Sequence, residues 1–515
     1  MLVYKLEYED RVDEGTRGRR VYQKRDIDQS SIRDQYLISQ VLREIASVVG
    51  PENVNTDETL LHEQSADWSW ISQYLKYKSL PVPTADIYVR PGTAEEVAEV
   101  LRIACEYKIP VVPRGGGSGT QGGTFAIYGG IAMDLRRLNK VLHIDEVSMV
   151  VTAEAGIEGP ELEKILNAKG LTMPHYPGSF HFGATLGGYL AARGSGVVST
   201  KYGKAEDLVL QLEAAVPPGK LIETMKVPNH ASGPGIMQAI VGSEGTLGII
   251  TKASMRIEKI PESMEFLSYG FKNISEGIEA ARRIMTDRWR PAVIRLYDEA
   301  DSAKLSSWLN LGVEGVLLVI MCDGTKALTA LESSEIAKLC EAVGGKSYGP
   351  EIGKMWWDGK YEPFKHGNIP APPQIFGTTD TCARFEDLEK IYWAKKKVIE
   401  EGFSEYKARY TAHFSHWFPW GGMIYDRFYI DNGPEDPQEA IALHDRVWDA
   451  AIKASLDNGG SLNEHHGVGL KLGRFMRVQH GAAFDLLLGV KDAWDPDGIL
   501  NPGKLGFGPP KNGRY

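Results

Sequence analysis

Between Pro113 and Gly123 the chain reads Pro-Arg-Gly-Gly-Gly-Ser-Gly-Thr-Gln-Gly-Gly, six glycines in eleven residues. Each interior glycine costs roughly 1 kcal/mol relative to alanine, so this is neither helix nor central strand. Its chemistry is that of a bare backbone, whose N–H groups can close on a large anion such as a phosphate or pyrophosphate. The run is not GxxxxGK[ST]: Thr120 and Gln121 follow Gly119 and the loop holds no lysine, which argues against an ATPase-type loop. Nor is it a strand–GxGxxG–helix unit, because Thr124-Phe-Ala-Ile-Tyr-Gly-Gly130 reads as strand and turn. A second chemistry lies at His465 and His466, which follow Glu464 and precede a Gly-Val-Gly turn. A neutral imidazole with a pKa of about 6.5 suits proton transfer at physiological pH.

The elements that must hold these groups follow from local patterning. Thr93 and Glu96 have capping-box spacing, and Val97, Val100, Leu101, Ala104 and Cys105 make one apolar helix face. Ile109–Val112 then reads as a short buried strand feeding the glycine run. Met149–Ala155 reads as a strand ending at Gly156, and Glu161–Ala168 as a helix stopped by Gly170. Two more glycine-rich segments follow. One runs from Tyr176 through Pro177, Gly178, Ser179, Gly183, Thr185 and Gly188 to Ala192-Arg193-Gly194-Ser195-Gly196. The other is Gly242-Ser-Glu244-Gly245-Thr246-Leu-Gly248-Ile249-Ile250, leading into the apolar strand Leu247–Thr251. Three such segments in one region point to an extended ligand wrapped by backbone, and oppose the plainer reading of a flexible surface loop.

Length and composition bound the class. A chain of 515 residues accommodates two or three domains with sizeable cores. A net charge of −10 argues against nonspecific nucleic-acid or anionic-membrane binding. Cys105, Cys322, Cys340 and Cys382 form no CxxC pair, consistent with reduced thiols and a cytoplasmic location. The first residues carry charges where a signal peptide needs an apolar core, and no run approaches the ~20 apolar residues of a membrane span. The longest such run, Val316–Cys322, fits a buried strand.

Taken together, PRGGGSG (Pro113, Arg114, Gly115, Gly116, Gly117, Ser118, Gly119), PGSFHFG (Pro177–Gly183), ARGS (Ala192–Ser195) and EGTLGII (Glu244–Ile250) resemble the flavin-contacting motifs of one family. That family is the vanillyl-alcohol-oxidase/p-cresol-methylhydroxylase flavoprotein superfamily, and the resemblance extends over most of residues 80–505. It implies an α+β fold: a PCMH-type FAD-binding domain of two α+β subdomains, followed by an α+β cap over the isoalloxazine. The expected organisation is an arm at 1–80, partly helical and clearest at Leu37–Val49, the FAD-binding domain at 81–259, the cap at 260–450, and a tail at 451–515 returning to the flavin. Pro81 and Pro83 mark the first boundary. Trp68, Trp70, Tyr74 and Tyr77 either cover a ligand or pack the arm onto the body, and packing is preferred.

In the cap, Arg290-Pro-Ala-Val-Ile-Arg-Leu-Tyr-Asp298 resembles a strand of the alkylglycerone-phosphate synthases and D-2-hydroxy-acid dehydrogenases. Arg295 there is a candidate anion anchor, or half of a structural salt bridge. The segment 411–429 resembles the synthase strand that supplies a substrate-facing tyrosine, which makes Tyr425 the candidate; Trp417, Phe418 and Trp420 read as pocket or packing, with packing preferred. Asn458–Gly469 resembles the family's histidine-bearing motif, so the rings of His465 and His466 are placed to reach the flavin. Trp494–Lys504 resembles its closing segment.

The implied chemistry is oxidation of an alcohol or 2-hydroxy acid, with His465 or His466 as base, hydride leaving for flavin N5, and Tyr425 and Arg295 orienting the substrate. A synthase-like transferase, with Arg384 as a conceivable anchor, a phenolic-substrate oxidase and a non-catalytic flavin carrier are the alternatives. The synthase pattern has a third histidine where this chain has Glu464. No metal is expected, although His413 and His416 with Glu464 or His465 form the cluster to weigh. Noncovalent FAD is expected, because Arg114–Gly123 holds no histidine; His175, His181 or a cap histidine are the other conceivable attachment points. The expected partners are a small-molecule substrate, an electron acceptor (oxygen, a quinone, a cytochrome or an electron-transfer flavoprotein) and a second copy of the chain.

Overall fold

The computed structural model describes residues 3–6, 22–25, 31–308, 312–362 and 370–511. Much of the expected arm (1–2, 7–21 and 26–30) lies outside the described residues. Helix Ser31–Val49 buries Val41, Ile45 and Val49 against Val97, Val100 and Leu101 of helix Ala94–Tyr107. Thr93 caps that second helix by accepting from the Glu96 N–H at 3.1 Å, while the Glu96 carboxylate accepts from Gly92. The chain then turns through Lys108 into strand Val111–Arg114. This strand lies beside Ile131–Asp134, Ile87–Val89 and Val54–Asn55 in a four-stranded sheet, with the first three parallel. Leu500 bridges the free side of Val111 in parallel, with Val111 N–H donating to Ile499 at 2.8 Å.

The second subdomain is a five-stranded antiparallel sheet ordered Lys220–Glu223, Val209–Val216, Ile249–Arg256, Val150–Glu154 and Val141–Asp145. Its core gathers Val151, Leu162, Leu190, Leu212 and Ile250. Helix Gly159–Asn167 ends ahead of Gly170 at φ +72°, the left-handed geometry glycine adopts freely. Residues 124–128, expected as strand, form only turns. The Phe125 carbonyl is taken by the Lys504 ammonium at 2.7 Å and its N–H by Gly122, so no ladder forms there.

The cap is a seven-stranded antiparallel sheet: Lys346–Ser347, Ser263–Phe271, Val316–Gly324, Val293–Tyr297, Ala408–Phe418, Gly421–Ile430 and Ile375–Arg384. Side chains alternate across a strand, and here the alternation separates chemistry from packing. Phe376, Thr378 and Asp380 stand opposite Tyr429, Arg427 and Tyr425 on the face toward the FAD-binding subdomains. Thr379, Asp426 and Phe428 face helices Phe385–Glu400 and Pro437–Asp457. There the fully buried Lys395 ammonium sits 2.5 Å from Asp426 and 2.7 Å from Thr379. Lys395→Met leaves Asp426 as a buried, unbalanced carboxylate, so we expect about 3–5 kcal/mol of lost stability. Urea unfolding of the variant measures it; a loss below about 1 kcal/mol would mean that the pair contributes little. No helix among the described residues is long and apolar enough to cross a membrane.

Candidate active site

A cavity of about 1000 Å³ lies between the two FAD-binding subdomains and the cap sheet. All three glycine-rich segments border it. Every cofactor-contacting residue expected from the sequence lines it except Gly183, Arg193 and Thr246, which stand behind the wall. A Cβ on Gly116 would overlap the Gly183 carbonyl, so Gly183 backs the loop instead of facing the ligand. Arg193 ties a turn by donating to Val241 at 3.2 Å and Gln238 at 3.3 Å, and the buried Thr246 hydroxyl donates to Ser243 at 2.7 Å.

The cradle fits FAD on its own chemistry. Among the described residues no acceptor takes the N–H groups of Gly115 through Gly119, the donors a pyrophosphate needs. The Arg114 guanidinium, held by the Ala66 carbonyl at 2.6 Å, keeps a buried Nε without a partner. Burial, then the neighbouring Arg136, lowers its pKa. At the third turn the buried Glu244 carboxylate accepts from Val468 and Gly469 at 2.5 and 2.8 Å, and burial pushes it up to about 7. Asn501 donates to the carbonyls of Gly123 and Glu244, locking the tail onto two of the three turns.

The arm contributes more than packing. Trp68 and Trp70 line the cavity; the Trp68 ring is 5.1 Å from Phe182, and the Trp68 backbone N–H donates to the Gly119 carbonyl at 2.8 Å. Asp67 accepts from the Gly122 N–H at 2.8 Å, so this stretch straps the glycine loop. Tyr74 is core, whereas Tyr77 is 61% exposed.

At the cap end the four proposed reactive residues line the same wall. His413 stacks on Tyr425 at 4.7 Å, and its Nε2 meets the Arg295 guanidinium at 3.0 Å. Burial, then Arg295 and Arg427, holds His413 well below the ordinary histidine range, so it is neutral and accepts from Arg295. The Arg295 guanidinium packs over Trp356 at 5.2 Å and has no carboxylate partner among the described residues, while Arg427 is paired with Asp301. Tyr425 lies 5.7 Å from the His465 ring and 5.2 Å from His466, and burial pushes its phenol up to about 12. The two histidine rings are 4.1 Å apart.

Sequence reasoning missed Asp380, which is 1% exposed and accepts the N–H groups of Glu464 and His465 at 2.6 and 2.7 Å and the Nδ1 side of His466 at 2.7 Å. It also missed Lys204, 3.2 Å from Glu464. A single acid in an alternating strand carries no local signal. The weighed cluster of His413, His416, Glu464 and His465 does not converge as ligands, because His413 is committed to a guanidinium and His416 Nδ1 to Glu464 at 2.8 Å. The ligating atoms of Asp380, His465 and His466 lie within 4.8 Å of one another, but Asp380 is spent on hydrogen bonds to both histidines' segment. His175 and His181 do not line the cavity. Arg384 is bonded to Asp387 and Glu386 at the outer end of its strand, away from the cavity. Trp417 is core, and Trp420 is 68% exposed.

Comparison with known proteins agrees with this architecture. The family described as FAD binding domain matches residues 85–225, and that of FAD linked oxidases, C-terminal domain, matches residues 260–505. The uncharacterised FAD-linked oxidoreductase YgcU of Escherichia coli K12 is 29% identical over 484 residues, covering 90% of this chain and 98% of that one. The alkyldihydroxyacetonephosphate synthase of Dictyostelium discoideum is 30% identical, covering 82% and 73%. The mitochondrial D-lactate dehydrogenase [cytochrome] of Arabidopsis thaliana is 28% identical, covering 83% and 74%. Among solved structures, p-cresol methylhydroxylase with substrate bound shares the fold at a TM-score of 0.73 and 16% identity, over 92% of this chain and 98% of that one.

Proposed function

We propose, for a chain that belongs to the PCMH-type FAD-linked oxidase superfamily, that the reaction is oxidation of a 2-hydroxy acid, or a related alcohol, at its carbinol carbon. FAD, held by the N–H groups of Gly115–Gly119 and by the turns at Ser179–Thr185 and Glu244–Ile250, supplies the two-electron acceptor when bound. The observation that carries the reading is Arg295: a guanidinium facing the cavity without a carboxylate partner among the described residues, beside Tyr425 and the histidine pair. A planar guanidinium fixed over Trp356 suits bidentate capture of a carboxylate. That anchor sets the neighbouring carbinol hydroxyl against the imidazoles. Tyr425, protonated at neutral pH, donates to the substrate oxygen, and a histidine removes the hydroxyl proton. The similarity to a D-lactate dehydrogenase supports the same substrate class. The synthase-like alternative is weakened by Glu464, whose carboxylate is consumed by His416, His465 and Lys204.

Anaerobic mixing of the yellow protein with a panel of 2-hydroxy acids and neutral alcohols tests the reading. We expect bleaching by at least one hydroxy acid. Arg295→Leu should lower kcat/KM for that acid by ~10–100-fold, the worth of a charged hydrogen bond, and spare a neutral alcohol. Equal losses for acid and alcohol would remove Arg295 as a carboxylate anchor, and failure of the whole panel to bleach the protein would remove the function.

A further inference from the structure

The adjacent histidines are equivalent in sequence but not in surroundings. Asp380 faces His466 Nδ1 at 2.7 Å and has no lysine or arginine within ion-pair distance among the described residues. His465 Nδ1 faces Glu464 at 2.9 Å and lies 3.3 Å from Asp380. Glu464 is already balanced, because its other oxygen is 3.2 Å from the Lys204 ammonium and 2.8 Å from His416. The buried cluster thus holds two carboxylates and one ammonium, and a single imidazolium makes it neutral. Two imidazoliums 4.1 Å apart would repel, and the place with an unbalanced carboxylate is His466.

We infer that Asp380 and Glu464 are positioning residues that give the two histidines different jobs. His465, whose Nδ1 proton is committed to Glu464, offers the Nε2 lone pair as the base, and His466, paired with Asp380, stays protonated and donates from Nε2 to the substrate oxygen. In the step the substrate O–H bond breaks and an Nε2–H bond forms on His465. The carbonyl π bond forms as the C–H electron pair leaves to the cofactor, and His466 keeps its proton throughout.

The directions of titration agree. Burial opposes charge on both rings. For His466 the charge and hydrogen bond of Asp380 outweigh it, raising the group above the ordinary histidine value. For His465 burial and the neighbouring His466 prevail over Asp380 and Glu464, lowering it. The other charged or titratable groups facing the pair are Tyr425 from the cap hairpin, His413 and His416 from its first strand, and His175 and Lys204 from the FAD-binding side; Asp426, paired with Lys395 on the far face of the sheet, acts only through its charge.

Histidine-selective ¹⁵N NMR of the holoenzyme, with signals assigned from His465→Gln and His466→Gln, reads the charge states without turnover. Between about pH 5 and pH 9 we expect His466 to titrate above the free value and His465 below it, with His465 carrying its proton on Nδ1. Asp380→Asn should drop the His466 midpoint by about 1–3 pH units, and Asp380→Glu should largely restore it. The kinetic readout rests on the function proposed above. Flavin reduction should follow a bell in pH, rising with loss of the His465 proton and falling with loss of the His466 proton. Asp380→Asn should move the alkaline limb to lower pH and depress kcat more than KM. Histidines that titrate together in the wild type, or a His466 midpoint unmoved in Asp380→Asn, would overturn the assignment even if a hydroxy acid is oxidised. An intact NMR pattern with no substrate found would instead count against the proposed function. Should Asp380→Asn lose its fold, the wild-type titration decides alone.

Discussion

Replacing His465 with alanine is expected to slow reduction of the bound flavin by about 10²–10⁴-fold while the protein stays yellow, the usual worth of general-base assistance. The expectation rests on geometry. The Nδ1 of His465 is fixed by Glu464 at 2.9 Å, which orients the ring and leaves Nε2 toward the cavity. None of the three glycine turns depends on the imidazole, so cofactor retention should be nearly normal. His466→Ala should also slow reduction, most at and below neutral pH, where the wild type holds the proton that the variant cannot offer, and the deficit should shrink as alkaline pH strips that proton from the wild type. Rapid-mixing absorbance at a series of pH values separates the two. Wild-type reduction rates in both variants would exclude the pair from the mechanism.

Gly116→Ala is expected to weaken FAD binding by about 10–100-fold, giving a pale protein after gel filtration. A Cβ at this position has nowhere to go: it would overlap the backbone carbonyl of Gly183, which cannot rotate aside as a side-chain tip can. The loop must then move, and with it the N–H row from Gly115 to Gly119. Gly489→Ala is the control, since a Cβ there meets nothing within 4 Å and lies in helix Ala483–Trp494. Flavin fluorescence titration of the apoproteins gives the two dissociation constants. Wild-type affinity in Gly116→Ala would show that the close approach of the two loops is not needed for the cofactor.

The cofactor cradle was legible in the sequence because its requirement is local. A backbone that must approach a phosphate, or another backbone, demands glycine, and Gly116 against Gly183 is that demand in one contact. The same logic over-reached at Arg193 and Thr246, which occupy the right segments but spend their polar atoms on the turns themselves. The fold class followed from the order of strands, helices and glycine runs, yet residues 124–128 were misjudged as strand because the Lys504 that takes the Phe125 carbonyl lies far along the chain. At the reactive end, His465, His466, Tyr425 and Arg295 were visible as types suited to proton transfer and anion binding. What makes them a unit was not visible. Asp380 and Lys204 come from two other segments, the first to His466 and the second to the Glu464 that precedes the pair, and the folded register of Asp380 opposite Tyr425 brings them together. For Trp68 the sequence leaves ligand cover and packing both open and favours packing, because an aromatic residue in a polar stretch reads the same whether it covers a ligand or a core.

Val111 is joined in parallel by Leu500, and this has a temporal meaning for a protein made from one end. At about 5–20 residues per second, a ribosome that has released Val111 needs on the order of 20–80 s more to deliver its partner. Through that interval the newborn domain exposes an unpaired strand margin and an unfinished flavin seat, a window in which chaperones would shield it. Messages cut short before codon 501 would therefore yield chains that never turn yellow, however well their earlier portions fold.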